Sequence, residues 1–165
     1  MWLILLWMVC AVPVYAVGFS YENEYETEPE RESSIIESSD LARDSALARS
    51  QGLPLLLEFS TPWCSYCAAL EENVLEPPQR SREFAGLMVL RKLEITSYTK
   101  VRDVDGRILR SDALARKYRV ALYPTLLLFD TRGRELMRIV GITTHDYVNA
   151  ELERALLQQR ATAGN

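Results

Sequence analysis

The stretch that decides the fold is Ser60-Thr61-Pro62-Trp63-Cys64-Ser65-Tyr66-Cys67. It follows an apolar run at 53–60 with the length of a buried strand, and it opens a segment to residue 75 with the pattern of a helix. Cysteines three residues apart at a helix start can meet and form a disulfide in a small ring. Such a disulfide exchanges easily, because the ring contributes little chain-entropy stabilisation. Unpaired N–H groups in the first helical turn also favour a thiolate at Cys64.

A Cys-x-x-Cys pair has two other uses, which the sequence disfavours. Half of a structural zinc site needs a second pair of ligands, and the remaining Cys10 and His145 do not form one. A purely structural disulfide is the other alternative, although so small a ring stabilises a fold poorly. The favoured interpretation is exchange chemistry, in which Cys64 attacks and Cys67 resolves, with no metal site.

Helix and strand patterns alternate along the rest of the chain. The first helix has its N-cap region at Ser38-Ser39-Asp40 and ends at Gly52. Residues 96–109 read as a polar loop that turns at Asp105-Gly106, and Ser111 is the predicted cap of the helix that follows. The remaining predicted elements are strands at 87–95, 124–130 and 135–140 and helices at 79–84, 111–118 and 144–159. This order predicts an α/β fold with a central mixed β-sheet flanked by helices.

The N-terminus has the features of an export signal. Residues 1–16 are apolar and end in Val14-Tyr15-Ala16, which fits the small residues of a signal-peptidase site. Residues 1–21 carry no charged side chain, so an uncleaved membrane anchor is the alternative. Both interpretations place the folded domain outside the cytoplasm.

Charge divides the 165 residues unevenly. Residues 22–44 hold nine acidic side chains against two arginines, which predicts a disordered acidic linker over 17–39. The folded domain is predicted at 40–160, followed by a flexible tail at 161–165. The net charge of −4 and the absence of a basic stripe exclude a nucleic-acid partner.

The cysteine segment resembles the active site of the thioredoxin superfamily, and the resemblance covers residues 53–158. Trp63, Cys64 and Cys67 fit the Trp-Cys-x-x-Cys signature. Glu58, six residues before Cys64, fits the acidic residue that thioredoxins bury beneath the active site. Pro124 fits the cis-proline that precedes a central strand. Exported thioredoxin-like proteins of bacteria, including those of sulfur-oxidation systems, share this pattern.

The resemblance implies an exported thiol–disulfide oxidoreductase whose redox centre is the Cys64–Cys67 disulfide, without a metal or an organic cofactor. In such a protein, Glu58 accepts or returns the proton of Cys67. The expected client-binding rim consists of Trp63, Tyr66, Tyr123 and Pro124. The expected partners are protein clients with thiols or disulfides, together with a redox partner in the periplasm or the membrane.

The two residues between the cysteines bear on the direction of exchange, which is either reduction or oxidation of clients. Ser65-Tyr66 is neither the Gly-Pro of cytoplasmic thioredoxins nor the Pro-His of strong oxidants, and the missing histidine favours a periplasmic reductase. A disulfide oxidase or isomerase is one alternative. A module that binds clients without turnover is the other.

Overall fold

The computed structural model describes residues 33–76, 86–141 and 144–163. The predicted signal segment, most of the predicted linker and the helix expected at 79–84 lie outside these residues. The helices are α1 (Leu41–Gln51), α2 (Ser65–Leu70) with its π-helical continuation (Glu71–Leu75), α3 (Ser111–Lys117) and α4 (His145–Ala163). The strands are β1 (Leu55–Ser60), β2 (Val89–Glu94), β3 (Lys100–Arg102), β4 (Ile108–Arg110), β5 (Thr125–Phe129) and β6 (Glu135–Val140).

Four strands form the central sheet in the order β2-β1-β5-β6. Strand β2 runs parallel to β1, whereas β5 and β6 are antiparallel to their neighbours. All six residues of β1 are buried, because the strand is central and both faces of the sheet are covered. The predicted α/β fold with a mixed sheet between helices is therefore confirmed.

The two faces of the sheet pack against different helices. Alternate residues of β1 point to opposite faces, so Leu56 and Glu58 share one face while Leu57 and Phe59 share the other. The face of Leu56 packs against α2, its π-helical continuation and α4. The face of Leu57 packs against α1 and α3. Glu58 therefore points towards the layer that contains the cysteine helix.

Helix α1 begins and ends where the sequence predicts. The Asp40 carboxylate accepts a hydrogen bond from the backbone N–H of Arg43 at 3.0 Å, which satisfies one of the unpaired N–H groups of the first turn. Gly52 ends the helix with a φ of 69°, a conformation in which a side chain would be strained.

The predicted linker boundary at residue 39 is wrong, because residues 34–38 are part of the folded domain. The backbone N–H of Ser38 donates to the Lys92 carbonyl at 2.8 Å, and the Lys92 N–H donates to the Ile36 carbonyl at 3.0 Å. The side chain of Ile35 is only 5% exposed and belongs to the core. This segment covers the outer edge of β2, so it hydrogen-bonds backbone groups that an edge strand would otherwise expose.

The predicted polar loop at 96–109 is instead a β-hairpin. Strands β3 and β4 pair antiparallel in a separate two-stranded sheet, with the expected turn at Gly106, where φ is 84°. Ser111 does not cap α3 as predicted. Arg110 occupies the N-cap position, and the Ser111 hydroxyl donates instead to the carbonyl of Thr96 at 3.0 Å.

The C-terminal helix is longer than predicted. Helix α4 continues to Ala163, so residues 161–163, which were predicted to begin a flexible tail, are helical. Its buried side chains (Val148, Leu152, Ala155 and Leu156) recur at helical spacing and face the sheet.

Candidate active site

The two cysteines form a disulfide at the start of α2, with an S–S distance of 2.13 Å and a Cα–Cα distance of 5.2 Å. Cys64 is the N-cap residue of the helix, and its sulfur accepts a hydrogen bond from the backbone N–H of Cys67 at 3.1 Å. This N–H is one of the first-turn donors that have no partner within a helix. The same donor and the positive end of the helix dipole would stabilise negative charge on the Cys64 sulfur.

The two sulfur-bearing side chains differ in access to solvent. Cys67 is 1% exposed and faces the interior, whereas Cys64 is only partly buried. Molecules in the solvent can therefore reach Cys64 but not Cys67.

The residues on either side of Cys64 present large apolar surfaces to solvent. Trp63 is 88% exposed, and Tyr66 is 65% exposed. Trp63 adopts a φ of 60°, a conformation that is uncommon for a residue with a bulky side chain. Both residues, which are expected to belong to the client-binding rim, thus lie exposed on either side of Cys64.

Tyr123 and Pro124 lie at the same end of the sheet. The peptide bond between them is cis, and Pro124 lines a small cavity together with Leu70 of α2. Tyr123 is partly buried, and this burial raises the pKa of its hydroxyl, helped by the negative charge of Asp112. The expected rim residues therefore come from two parts of the chain that meet beside α2.

Glu58 is fully buried near the middle of β1. Neither of its carboxylate oxygens has a hydrogen-bond partner among the residues described. Burial raises the pKa of Glu58 well above its ordinary value, because a charged carboxylate is poorly solvated in the interior. The negative charge of Glu71 raises this pKa further, and the positive charge of Lys92 opposes the shift.

Sequence reasoning missed Glu71 and Lys92. Glu71 follows Cys67 by four residues, is 4% exposed and begins the π-helical continuation of α2. Its Oε1 lies 2.6 Å from the Nζ of Lys92, which pairs in register with Glu58 across β1 and β2. π-Helical turns are rare and are often found at functional sites.

Two signals in the sequence could have identified this pair. Cys67, Leu70, Glu71 and Val74 have the i, i+3, i+4, i+7 spacing of one helix face, so an inward Cys67 implies an inward Glu71. Lys92 alternates with Leu90 along its strand, which implies that both side chains point to one face of the sheet.

Metal and membrane features are absent from the described parts of the chain. No cluster of three or more metal-ligating side chains occurs in residues 33–76, 86–141 and 144–163. Over the same ranges, none of the helices combines the length and the hydrophobicity needed to cross a bilayer.

Curated thiol:disulfide interchange proteins match more than half of this chain. Thiol:disulfide interchange protein DsbD of Pectobacterium atrosepticum is 29% identical over 116 residues, covering 70% of this chain and 18% of that protein. The protein of the same name from Salmonella typhi is 32% identical over 90 residues, covering 54% of this chain and 14% of that protein. The match therefore spans less than a fifth of either relative.

Solved structures and a family model agree on the fold. The solution structure of a thioredoxin from Thermus thermophilus aligns with a TM-score of 0.57 at 24% identity, covering 77% of this chain and 92% of that one. Fasciola hepatica thioredoxin aligns with a TM-score of 0.50 at 19% identity, covering 73% and 99%. The model of the thioredoxin-like domain matches residues 41–156, which include the Cys64–Cys67 disulfide. The chain therefore belongs to the thioredoxin-like domain family.

Proposed function

We propose that this protein reduces disulfides in protein clients in the periplasm, with Cys64 as the attacking cysteine. The observation that carries the proposal is the difference in exposure within the disulfide. Cys64 is partly exposed and accepts a backbone hydrogen bond, whereas Cys67 is buried. In this arrangement the Cys64 sulfur can attack a client disulfide, and the buried Cys67 sulfur can then resolve the mixed disulfide.

The reaction has two exchange steps, starting from the reduced protein. The Cys64 thiolate attacks one sulfur of a client disulfide, forms a mixed disulfide and displaces the other client sulfur as a thiolate. Cys67 then attacks the Cys64 sulfur and releases the first client sulfur as a thiolate. The client gains two electrons, the protein ends with a Cys64–Cys67 disulfide, and a dithiol partner protein must reduce it again.

Glu58 is the proposed proton acceptor for Cys67. Cys67 must lose its proton before it can attack, and burial denies it access to bulk water. A carboxylate whose pKa lies above its ordinary value is a stronger base than an exposed one, because its acid form holds the proton more tightly. Glu58 would later return the proton to the solvent or to a departing client sulfur.

The charges beneath the cysteines support the reducing direction. Strong oxidants of this chemistry owe their potential to a stabilised thiolate in the reduced form. Here the raised pKa of Glu58 favours its neutral form, and Glu71 is paired with Lys92, so the described groups beneath α2 place no net positive charge under the cysteines. A thiolate without a buried cation to stabilise it favours the oxidised protein and therefore the donation of electrons.

The periplasmic location rests on the sequence of the N-terminus. Cleavage after Ala16 would release a periplasmic protein, and an uncleaved segment at 1–21 would hold the domain at the inner membrane. In either case its reducing partner must be a dithiol protein of the periplasm or the membrane.

Insulin reduction in the presence of dithiothreitol tests the activity. The protein is expected to accelerate insulin precipitation, and the Cys64→Ser variant is expected not to. Equal rates for the two proteins would favour a client-binding module without turnover.

Cell fractionation with mass spectrometry of the N-terminus tests the location. A periplasmic chain starting at Val17 is expected, and a soluble cytoplasmic chain would contradict export.

A further inference from the structure

The end of the sheet that carries Cys64 also carries an exposed tyrosine from the segment 96–110. Tyr98, in the turn after β2, is 75% exposed. Strands β1 and β2 are parallel and end at the same edge, where the backbone N–H of Ile95 donates to the carbonyl of Ser60 at 2.8 Å. Ser60 therefore lies beside Ile95 at this edge. Tyr98 follows Ile95 by three residues, and Cys64 follows Ser60 by four.

Leu122 lies at this edge as well. Strand β5 is antiparallel to β1, and its first residue, Thr125, pairs with Phe59 near the end of β1. Leu122 precedes Thr125 by three residues, and its carbonyl accepts a hydrogen bond from the Thr125 hydroxyl at 2.7 Å. Its side chain is 62% exposed. Four exposed apolar side chains therefore come from segments that converge at this end of the sheet. We call these four the exposed rim, which shares only its first two members with the expected client-binding rim: Trp63, Tyr66, Tyr98 and Leu122.

The turn that carries Tyr98 is fixed to the domain. The Thr96 hydroxyl accepts hydrogen bonds from the N–H groups of Tyr98 at 3.3 Å and Thr99 at 2.8 Å. Ser111, at the start of α3, also forms hydrogen bonds with this turn. Its hydroxyl accepts from the Thr96 N–H at 2.8 Å, and its own N–H donates to the Thr99 carbonyl at 2.8 Å. Tyr98 is therefore presented to solvent from a well-connected backbone.

The mixed disulfide formed during exchange determines which molecule contacts this surface. During exchange a client sulfur is bonded to the Cys64 sulfur, so the client residues next to that sulfur must lie against the surface around Cys64. None of the four side chains of the exposed rim is charged. A buried contact with them therefore favours apolar or aromatic client residues, and tyrosine makes such contacts at a small cost in side-chain entropy.

We propose that Tyr98 is a specificity-determining residue, which contacts the client beside its reacting disulfide and favours clients with apolar residues there. This inference rests on the proposed function. It assigns to the segment 96–110 a role in selecting clients, and it leaves the exchange chemistry to the cysteines.

The experiment compares a protein disulfide with a small one. Tyr98→Ser should raise the KM for insulin, lowering kcat/KM about five- to tenfold, and should leave the reaction with glutathione disulfide unchanged. Tyr98→Phe, which keeps the ring, should restore the kinetics with insulin. Ile108→Ser is the matched control, because Ile108 is 59% exposed on the same hairpin but lies beside its turn, on the pair with Arg102. This control should react normally with both substrates.

Two results would overturn the inference. Unchanged insulin kinetics in Tyr98→Ser would show that the ring does not contact the client. An equal loss with both disulfides would show that Tyr98 supports the site itself. The substrate pair separates these failures from a failure of the proposed function, in which the unmutated protein would react with neither disulfide.

Discussion

Glu58 and Lys92 occupy paired positions on β1 and β2, yet the Lys92 ammonium contacts Glu71, at 2.6 Å, and Glu58 is left without a hydrogen-bond partner among the described residues. The buried group therefore holds two carboxyl groups and one cation. Because the single positive charge is already paired, burial and the neighbouring carboxylate both favour a neutral Glu58. This relationship connects the strand beneath the active site to the helix that carries the cysteines.

The roles of the two cysteines predict which variant traps clients. Cys67→Ser should accumulate mixed disulfides with protein clients, because the resolving sulfur is absent, and Cys64→Ser should accumulate none. Non-reducing gel electrophoresis after alkylation measures both. Replacing Cys10 by serine in both variants removes the only other thiol. Trapping by Cys64→Ser would reverse the assignment of the attacking and resolving sulfurs.

The pKa of Glu58 predicts how stability depends on pH. Folding raises this pKa above its ordinary value of 4.5, so the folded protein holds the proton more tightly than the unfolded chain does. The resulting stabilisation is complete below about pH 4.5 and is lost as the pH rises through the pKa of the folded state. Each tenfold difference in proton affinity corresponds to about 1.4 kcal/mol.

Glu58→Gln should remove this dependence, because an amide has no proton to lose in this range. Urea unfolding from pH 5 to 9 should show a smaller decrease in the free energy of unfolding than in the parent protein. Glu153→Gln, at an exposed acid of α4, is the control and should follow the parent. A large loss of stability in Glu58→Gln at every pH would show that its carboxylate has a stabilising partner.

Proton transfer gives the next prediction. Glu58→Gln should slow the resolution of a mixed disulfide about ten- to a hundredfold, because Cys67 loses its nearby base. Glu71→Gln should instead shift the pH profile of resolution to lower pH. The charge of Glu71 raises the pKa of Glu58, and its removal also leaves Lys92 available to Glu58.

Stopped-flow measurement between pH 5 and 8 tests both variants. Glu72→Gln is the matched control, since Glu72 is the next residue but is exposed, and its profile should not move. An unshifted profile in Glu71→Gln would show that Glu71 does not govern the proton of Glu58.

Because the segment that covers the edge of β2 buries Ile35, truncating this side chain should lower the stability of the domain. Ile35→Ala should reduce the free energy of unfolding by about 2–4 kcal/mol, because it leaves a cavity in the core beside the N-terminal segment. Ile36→Ala is the control at an adjacent residue, which is 58% exposed, and it should change stability by less than about 0.5 kcal/mol. Equal effects for the two variants would mean that the segment does not pack on the domain in solution.

Strong local patterns made much of the fold predictable. The apolar run of β1, the cysteines at the start of α2 and the cap residues Asp40 and Gly52 are all signals carried by neighbouring residues. Strands β3 and β4 were missed because each has three residues, too few for a reliable alternation. Ile35 was missed because it follows an acidic stretch, and its burial depends on pairing with the distant Lys92 backbone.

The residues of the candidate site likewise fall into those that the sequence indicates and those that only the packing shows. Cys64 and Cys67 stand out in one short stretch of sequence, and the resemblance to a family pointed to Glu58 beside them. Glu71 and Lys92 required knowing that a helix face and a neighbouring strand enclose Glu58, which is information about packing. The resemblance to a family supplied Pro124, which no local pattern singles out.

The reduction potential of the Cys64–Cys67 pair tests the proposed reductase most directly. Equilibration of the purified protein with glutathione buffers, followed by alkylation and mass spectrometry, measures the oxidised fraction at each ratio. A thiolate with no net buried positive charge beneath it predicts a potential near that of thioredoxin, about −270 mV. A value near about −120 mV, as in strong oxidants, would contradict a reductase and make the protein a donor of disulfides.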